Sequence, residues 1–200
     1  NQPPVGTTDR VLKRLFDILG SIFLMVLFSP LYLIIPIMIK RTSKGPVFYG
    51  QPRIGADGKL FTCLKFRSMK VDAEQKTGAV WAVENDSRTT PLGKWLRRTS
   101  FDEIPQFYNV LRGDMSLVGP RPERPVFVEQ FRKEIPKYML RHKMKSGITG
   151  WAQVNGWRGN TSVEERIKHD LYYIGHWSFY LDLKILFLTM WKGFMHKHAY

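Results

Sequence analysis

Ile18 to Ile39 is a run of 22 residues that carries no charge. At the α-helical rise of about 1.5 Å per residue it would reach roughly 33 Å, enough to cross a hydrocarbon core of about 30 Å. Two features set it apart from a plain span. Ser29-Pro30 falls in its middle and Pro36 follows. A proline removes a backbone donor and clashes with the preceding turn, which kinks a helix. Both flanks are also basic, with Arg10, Lys13 and Arg14 before and Lys40, Arg41 and Lys44 after. Basic flanks favour the cytoplasmic side. Both can lie there only if the segment enters, bends near Ser29-Pro30 and leaves on the face it entered. The sequence predicts a re-entrant helix hairpin in preference to a kinked span, with a helix buried in a soluble core as the third arrangement.

The remaining length, out of 200 residues of which 44% are hydrophobic, suffices for one domain with its own core. The net charge of +14 favours anionic partners: nucleic acid, acidic lipid headgroups or phosphorylated substrates. Charge alone does not choose among them. Cys63 is the only cysteine, which excludes an intrachain disulfide and fits a reducing compartment. The histidines show no zinc-ligand spacing, and His196 and His198 fall in a polar tail. Asn1 to Thr8 lack the pattern of a signal peptide and read as a linker or truncated lead-in.

Beyond the apolar run, Val47 to Tyr49 predicts a short strand and Leu60 to Phe66 a second, joined by the turn chemistry of Gly55-Ala56-Asp57-Gly58. Cys63 then reads as a small buried residue. Lys70 to Thr90 reads as helix then loop. Helices follow over Pro91 to Arg98, over Asp102 to Arg112 with Gly113 as its stop, and over Pro125 to Ile135 with Phe127 and Phe131 on one face. Thr149 to Asn160 reads as a loop. Ser162 with Glu165 forms a capping box for a helix whose apolar face is Ile167, Leu171 and Ile174. The last helix, Tyr180 to Met195, is short for a span; Trp and Tyr at its ends suit a membrane interface, and burial in the core is the alternative.

Chemistry concentrates in Arg97-Arg98-Thr99-Ser100-Phe101-Asp102-Glu103-Ile104-Pro105-Gln106. Ser100 with Glu103 fits a capping box, and carboxylates in a first helical turn are favoured by the helix dipole. Two adjacent carboxylates exceed what a cap requires, and two arginines stand just upstream. Gly119-Pro120-Arg121-Pro122 adds an arginine held between prolines, whose planar fork suits phosphate oxygens. Lys65 and Arg67 add cations at the end of the second strand. Carboxylates among convergent cations form the layout phosphoryl transfer needs: the former attack phosphorus or hold a metal, the latter neutralise phosphoryl oxygens.

With these residues the chain resembles the bacterial sugar transferases, the monotopic polyprenyl-phosphate hexose-1-phosphate transferases, over about Asp9 to Tyr200. The markers are the apolar segment with Ser29-Pro30, Lys65 to Met69, Thr99 to Gln106, Leu111 to Pro122 and Gly147 to Gly156. The resemblance implies an α+β, mostly helical fold. Residues 1–10 would be a lead-in and residues 11–44 a re-entrant membrane helix broken at Ser29-Pro30. Residues 45–200 would form a small β-hairpin and a helical cytoplasmic catalytic domain with interfacial helices. It places the chain at the cytoplasmic face of a bacterial inner membrane, in contact with membrane lipids, and leaves self-association open.

By the same resemblance, Asp102 attacks the β-phosphorus of a UDP-sugar, UMP leaves, and undecaprenyl phosphate takes the sugar phosphate from the enzyme. Glu103 would bind Mg²⁺, and Lys65, Arg67, Arg97 and Arg121 would contact phosphate. The loop Val154 to Gly159 resembles that of members using UDP-glucose, with UDP-galactose next. This would be the first membrane step of exopolysaccharide or O-antigen type assembly. A nucleic-acid binder would explain the charge but not Ile18 to Ile39, and no binding motif is present. A non-catalytic membrane scaffold would explain that segment but not the Asp-Glu and arginine clusters.

Overall fold

The structure is a computed structural model that describes residues 6–75, 78, 80 and 86–195. It is a mostly helical α+β fold with two small sheets. Helix α1 spans Thr7–Leu27 and α2 Ser29–Thr42, meeting at Phe28 with a bend of 59°. The break falls where Ser29-Pro30 was expected to put it. Pro30 occupies the first turn of α2, where its missing N–H leaves no bond unmade. Pro36, by contrast, lies inside α2 without ending it. Among the described residues no single helix is long and apolar enough to cross a membrane; the bent pair passes that test together.

Helix α1 is amphipathic in the inverse sense. On α1 the buried side chains are Lys13, Asp17 and Ser21, one turn apart, while Phe23 (65%) and Val26 (68%) lie exposed, as does Leu33 (71%) on α2. The buried polar groups Lys13 and Asp17 are bonded. Lys13 donates to Asp182 at 2.6 Å and to the Val118 carbonyl at 3.0 Å. Asp17 accepts from Ser116 Oγ at 3.0 Å and from the Leu117 amide at 2.9 Å. Arg14 donates to the Val110 and Leu111 carbonyls, both at 2.6 Å. Lys13 and Arg14 are thus internal tethers rather than the free flanking charges that the sequence suggested.

Strands β1 (Phe48–Ile54) and β2 (Leu60–Phe66) form an antiparallel hairpin closed by a 3₁₀ turn, Ala56–Gly58. Asp57 adopts a left-handed φ of 53°, which Asp tolerates. Helix α3 (Pro91–Thr99) starts at Thr90, whose hydroxyl accepts from the Gly93 amide at 2.9 Å. Gly93 is required: a Cβ there would lie 1.8 Å from the Ser68 carbonyl. The expected helix Asp102 to Arg112 is instead a 3₁₀ turn, Phe101–Glu103, followed by α4 (Gln106–Arg112), because Pro105 interrupts it. Gly113, left-handed at φ 91°, ends α4 as expected.

Strand β3 (Ser116–Val118) pairs in parallel with β4 (Gly147–Thr149). The exit of β3 and the entry of β4 approach so closely that a Cβ on Gly147 would lie 2.1 Å from the Gly119 amide. Between them run α5 (Pro125–Glu134) and a 3₁₀ segment, Tyr138–Lys143. The stretch Thr149 to Asn160 is not all loop, since α6 occupies Trp151–Val154. Helix α7 (Val163–Gly175) is capped by Ser162, which accepts from the Glu165 amide at 3.2 Å, and α8 spans Phe179–Met195. Ile185 of α8 is fully buried, while Tyr180, Phe187, Met190 and Trp191 are exposed.

The main core joins Ile35 and Ile39 of α2, Phe66, Leu96, Val110, Met115, Tyr173 and Ile185; a smaller one gathers Val128, Phe131, Tyr138 and Ile167. Helix α1 begins inside the expected lead-in, and the remainder of that lead-in, residues 1–5, lies outside the described residues. Of the expected helix after Lys70, residues 71–75 form turns; residues 76, 77, 79 and 81–85, and the tail with His196 and His198, lie outside the described residues.

Candidate active site

The hairpin alternates side chains between its faces, and its register sets Gln51 opposite Cys63 and Tyr49 opposite Lys65. One face therefore presents Gln51, Arg53, Cys63 and Lys65. Asn109 of α4 fixes this strand in place: its amide donates to the Thr62 carbonyl at 2.8 Å and its Oδ1 accepts from the Leu64 amide at 3.0 Å. Lys65 is thereby held toward the 3₁₀ turn that carries Asp102 and Glu103.

Ser100 does not cap that turn. Its φ of 59° makes it the left-handed residue that ends α3, and its side chain makes no capping bond. The Glu103 side chain, released from the capping role, meets two cations. Lys65 Nζ donates to Oε1 at 2.7 Å, and the Arg121 guanidinium bonds Oε1 and Oε2 at 2.5 and 3.2 Å. Burial alone would raise the Glu103 pKa, but Arg121 and Lys65 outweigh it and hold the carboxyl far below its usual range. Asp102, one residue earlier, is 5% exposed, and its carboxyl makes no side-chain hydrogen bond or ion pair among the described residues. Burial pushes its pKa up to about 6; Lys65, Arg97 and Arg121 oppose the rise and the Glu103 charge adds to it.

Of the cations expected at the site, Lys65 and Arg121 bond Glu103, and Arg97 acts on Asp102 through its charge. Arg97, half-buried at the end of α3, has no side-chain partner among the described residues. Arg67 is engaged elsewhere. Its guanidinium bonds the Lys44 carbonyl at 2.6 Å and Ser43 Oγ at 2.7 Å, tying the end of α2 to the hairpin. The cleft beside Glu103 is also lined by Arg53, Cys63 and Gln106, which sequence reasoning did not assign. The strand period was the available signal, since Arg53 and Cys63 share the Lys65 face. Behind the hairpin, Met25, Tyr32, Phe48, Leu64, Pro105 and Tyr108 line an apolar pocket of about 330 Å³.

A family model described as bacterial sugar transferase matches residues 8–196. The chain belongs to the bacterial sugar transferase family. Similar family members include the UDP-glucose:undecaprenyl-phosphate glucose-1-phosphate transferase of Klebsiella pneumoniae, 53% identical over 98% of this chain and 43% of that protein. The protein of the same name from Escherichia coli K12 is 50% identical over the same shares. The UDP-N-acetylgalactosamine-undecaprenyl-phosphate N-acetylgalactosaminephosphotransferase of Aeromonas hydrophila is 48% identical over 90% of this chain and 43% of that protein. The chain thus spans less than half the length of these sugar transferases.

A magnesium ion at this site would take most of its ligands from elsewhere. Glu103 offers one hard carboxylate with Asp102 beside it, and no group of three metal-binding side chains occurs among the described residues. Mg²⁺ is commonly held by one or two carboxylates with substrate phosphates and water completing its shell.

Proposed function

We propose that the chain transfers glucose-1-phosphate from UDP-glucose to undecaprenyl phosphate through a phosphosugar ester on Asp102. The observation that carries this reading is the contrast between neighbours: Glu103 is locked by two cations, while Asp102 is buried and unpartnered among the described residues. An unpartnered carboxylate keeps its lone pairs for phosphorus. Its oxygen would attack the phosphorus that bears the sugar, and the bond to UMP would break with its electron pair leaving on UMP. The acceptor's phosphate oxygen would then attack the same phosphorus and return Asp102 as a carboxylate. Lys65, Arg97 and Arg121 would neutralise the phosphoryl oxygens during both steps.

Glu103, with the donor's diphosphate, would hold Mg²⁺, which when bound supplies charge neutralisation at the diphosphate. The apolar pocket behind the hairpin offers the acceptor's hydrocarbon chain a dry wall. For glucose over its epimers, the support is the Val154 to Gly159 loop and the names of the Klebsiella and Escherichia relatives.

The bent pair would sit in the cytoplasmic leaflet of a bacterial inner membrane as a re-entrant element. Its exposed face is apolar, and on α1 Lys13, Asp17 and Ser21 turn inward, the reverse of a helix on a water-soluble protein. Both of its ends are tied to the same body, at Lys13 and Arg14 and again at Ser43 and Lys44. The exposed aromatic face of α8 would lie at the interface. The full protein would serve the first membrane step of exopolysaccharide or O-antigen type assembly.

The test is to incubate the chain with UDP-glucose labelled in the β-phosphate, with Mg²⁺ and without lipid. Label on the Asp102 peptide, with release of UMP, is expected. Label elsewhere, or retained in Asp102→Asn, overturns the reading. A preference for UDP-galactose or an N-acetylated donor overturns the sugar alone.

A further inference from the structure

Arg121 meets Glu103, and the backbone that carries Arg121 is itself gripped by two other arginines. Arg141, from the 3₁₀ segment, donates through Nη2 to the Arg121 carbonyl at 2.8 Å. The same guanidinium bonds Asp170 of α7 at 3.0 and 2.7 Å and the Tyr138 hydroxyl at 3.2 Å. Arg53, from β1, donates to the Pro122 carbonyl at 2.9 Å while its other nitrogens hold Gln51 Oε1 at 3.1 and 2.6 Å. The Pro120 carbonyl accepts from the Gly147 amide at 2.9 Å. Three consecutive carbonyls thus each take a donor from a different element. The two prolines fix φ on either side of Arg121, which leaves its backbone little freedom.

The Arg141–Asp170 pair is sealed, with side chains 2% and 3% exposed. A sealed ion pair is weak as a source of stability, since desolvation offsets much of the attraction. Its worth lies in geometry. We infer that Arg53 and Arg141 are positioning residues, which clasp the two carbonyls flanking the Arg121–Pro122 bond and so aim the Arg121 guanidinium at the transferring phosphoryl group. The inference rests on the phosphoryl-transfer reading for what Arg121 is aimed at. Neither residue is a catalytic residue: Arg141 bonds neither Asp102 nor Glu103, and the nitrogens of Arg53 are spent on Gln51, Pro122 and Glu123.

Arg141→Lys keeps a charge opposite Asp170 but lacks the fork that spans Asp170 and the Arg121 carbonyl. Arg53→Lys does the same between Gln51 and Pro122. Each should slow label transfer from UDP-glucose by about 10- to 100-fold, as misplacement by about 1 Å does. The decisive arm is a double-mutant cycle with Arg121→Ala. If the clasps act through Arg121, either lysine variant costs less than about twofold further in that background. An equal loss in both backgrounds means a structural role only and overturns the inference, as does unchanged transfer in the singles.

The same cycle is run on the affinity for inorganic pyrophosphate by calorimetry, which needs no turnover. Coupling in pyrophosphate affinity with no labelling of the wild-type chain sinks the functional reading and keeps the positioning role. Additive losses in pyrophosphate affinity sink the positioning role whatever the labelling shows. Should Arg141→Lys fail to fold, Arg53→Lys carries the cycle alone.

Discussion

Asp102 and Glu103 are adjacent in the chain and opposite in electrostatic state. Glu103 lies 2.7 Å from Lys65 and within bonding distance of Arg121, while Asp102 has no side-chain partner among the described residues and titrates near 6. The turn separates the two by sending their side chains to different surroundings. The oxygens of Glu103 are taken by two cations, and those of Asp102 are not.

This relationship carries a stability prediction. The Asp102 pKa rises from 3.8 to about 6 on folding, chiefly through burial. A raised value means that the folded chain holds the proton more tightly than the unfolded one. Its contribution to stability is therefore present below about pH 4 and is lost as pH rises through about 6. At pH 7.5 the ionised carboxylate is therefore destabilising. Asp102→Asn should raise Tm at pH 7.5 and change it less at pH 4.5, with EDTA present throughout, while label transfer is abolished. Thermal melts at the two pH values decide it; an equal or lower Tm at pH 7.5 contradicts the burial argument.

Glu103→Gln should do the reverse. An amide cannot match the charge of Lys65 and Arg121, and losing charge-assisted bonds costs about 1–3 kcal/mol. The variant should melt lower, bind Mg²⁺ poorly by calorimetry and transfer no label. In the wild-type chain EDTA should stop transfer and Mg²⁺ should restore it. Full activity of Glu103→Gln would remove the metal assignment.

The elements that were legible in the sequence carry local signals. The period of β2 and the Gly55 to Gly58 turn set the hairpin, and the proline inside the apolar run set the bend. What was not legible depends on distant partners. Lys13 and Asp182 are 169 residues apart and no local pattern joins them. Ser100 with Glu103 has the spacing of a capping box, yet Ser100 ends the previous helix in a left-handed conformation. At the site, Lys65 and Arg121 were legible as cations. The diversion of Arg67 to Ser43 and Lys44 depends on where the end of α2 packs, which sequence spacing does not encode.

The Lys13–Asp182 pair gives a further test of how the bent helices are held. Asp182 is fully buried and also accepts from Tyr173 at 2.7 Å and Trp177 at 3.2 Å. Removing one partner leaves a buried charge, at a cost of about 3–5 kcal/mol. Lys13→Met should therefore lower Tm by roughly 10 °C for a chain of this size. Lys13→Met with Asp182→Leu should recover part of the loss, because no charge is then stranded. Melts of the single and double variants in nanodiscs check this; a double variant no better than the single would point to packing rather than charge.

The last prediction is topological. The positive-inside argument from the flanks is weaker than the sequence suggested, because Lys13 and Arg14 are internal. Helix α1 starts where Lys13 and Arg14 bind α8, β3 and α4, and α2 ends where Arg67 from the end of β2 binds Ser43 and Lys44. The bend is tied to the same body, with Phe28 stacked on Phe107 at 6.3 Å and Tyr32 donating to the Ile104 carbonyl at 2.8 Å. Two ends bonded to one body cannot lie on opposite sides of a bilayer without breaking these bonds. Positions 9 and 44 should therefore share the cytoplasmic side. Asp9→Cys and Lys44→Cys each introduce a reporter, and the native Cys63, only 2% exposed, gives a quiet background. Neither reporter should react with an impermeant thiol reagent in intact cells, and both should react after permeabilisation. Reaction of either one from outside would rule out the re-entrant arrangement.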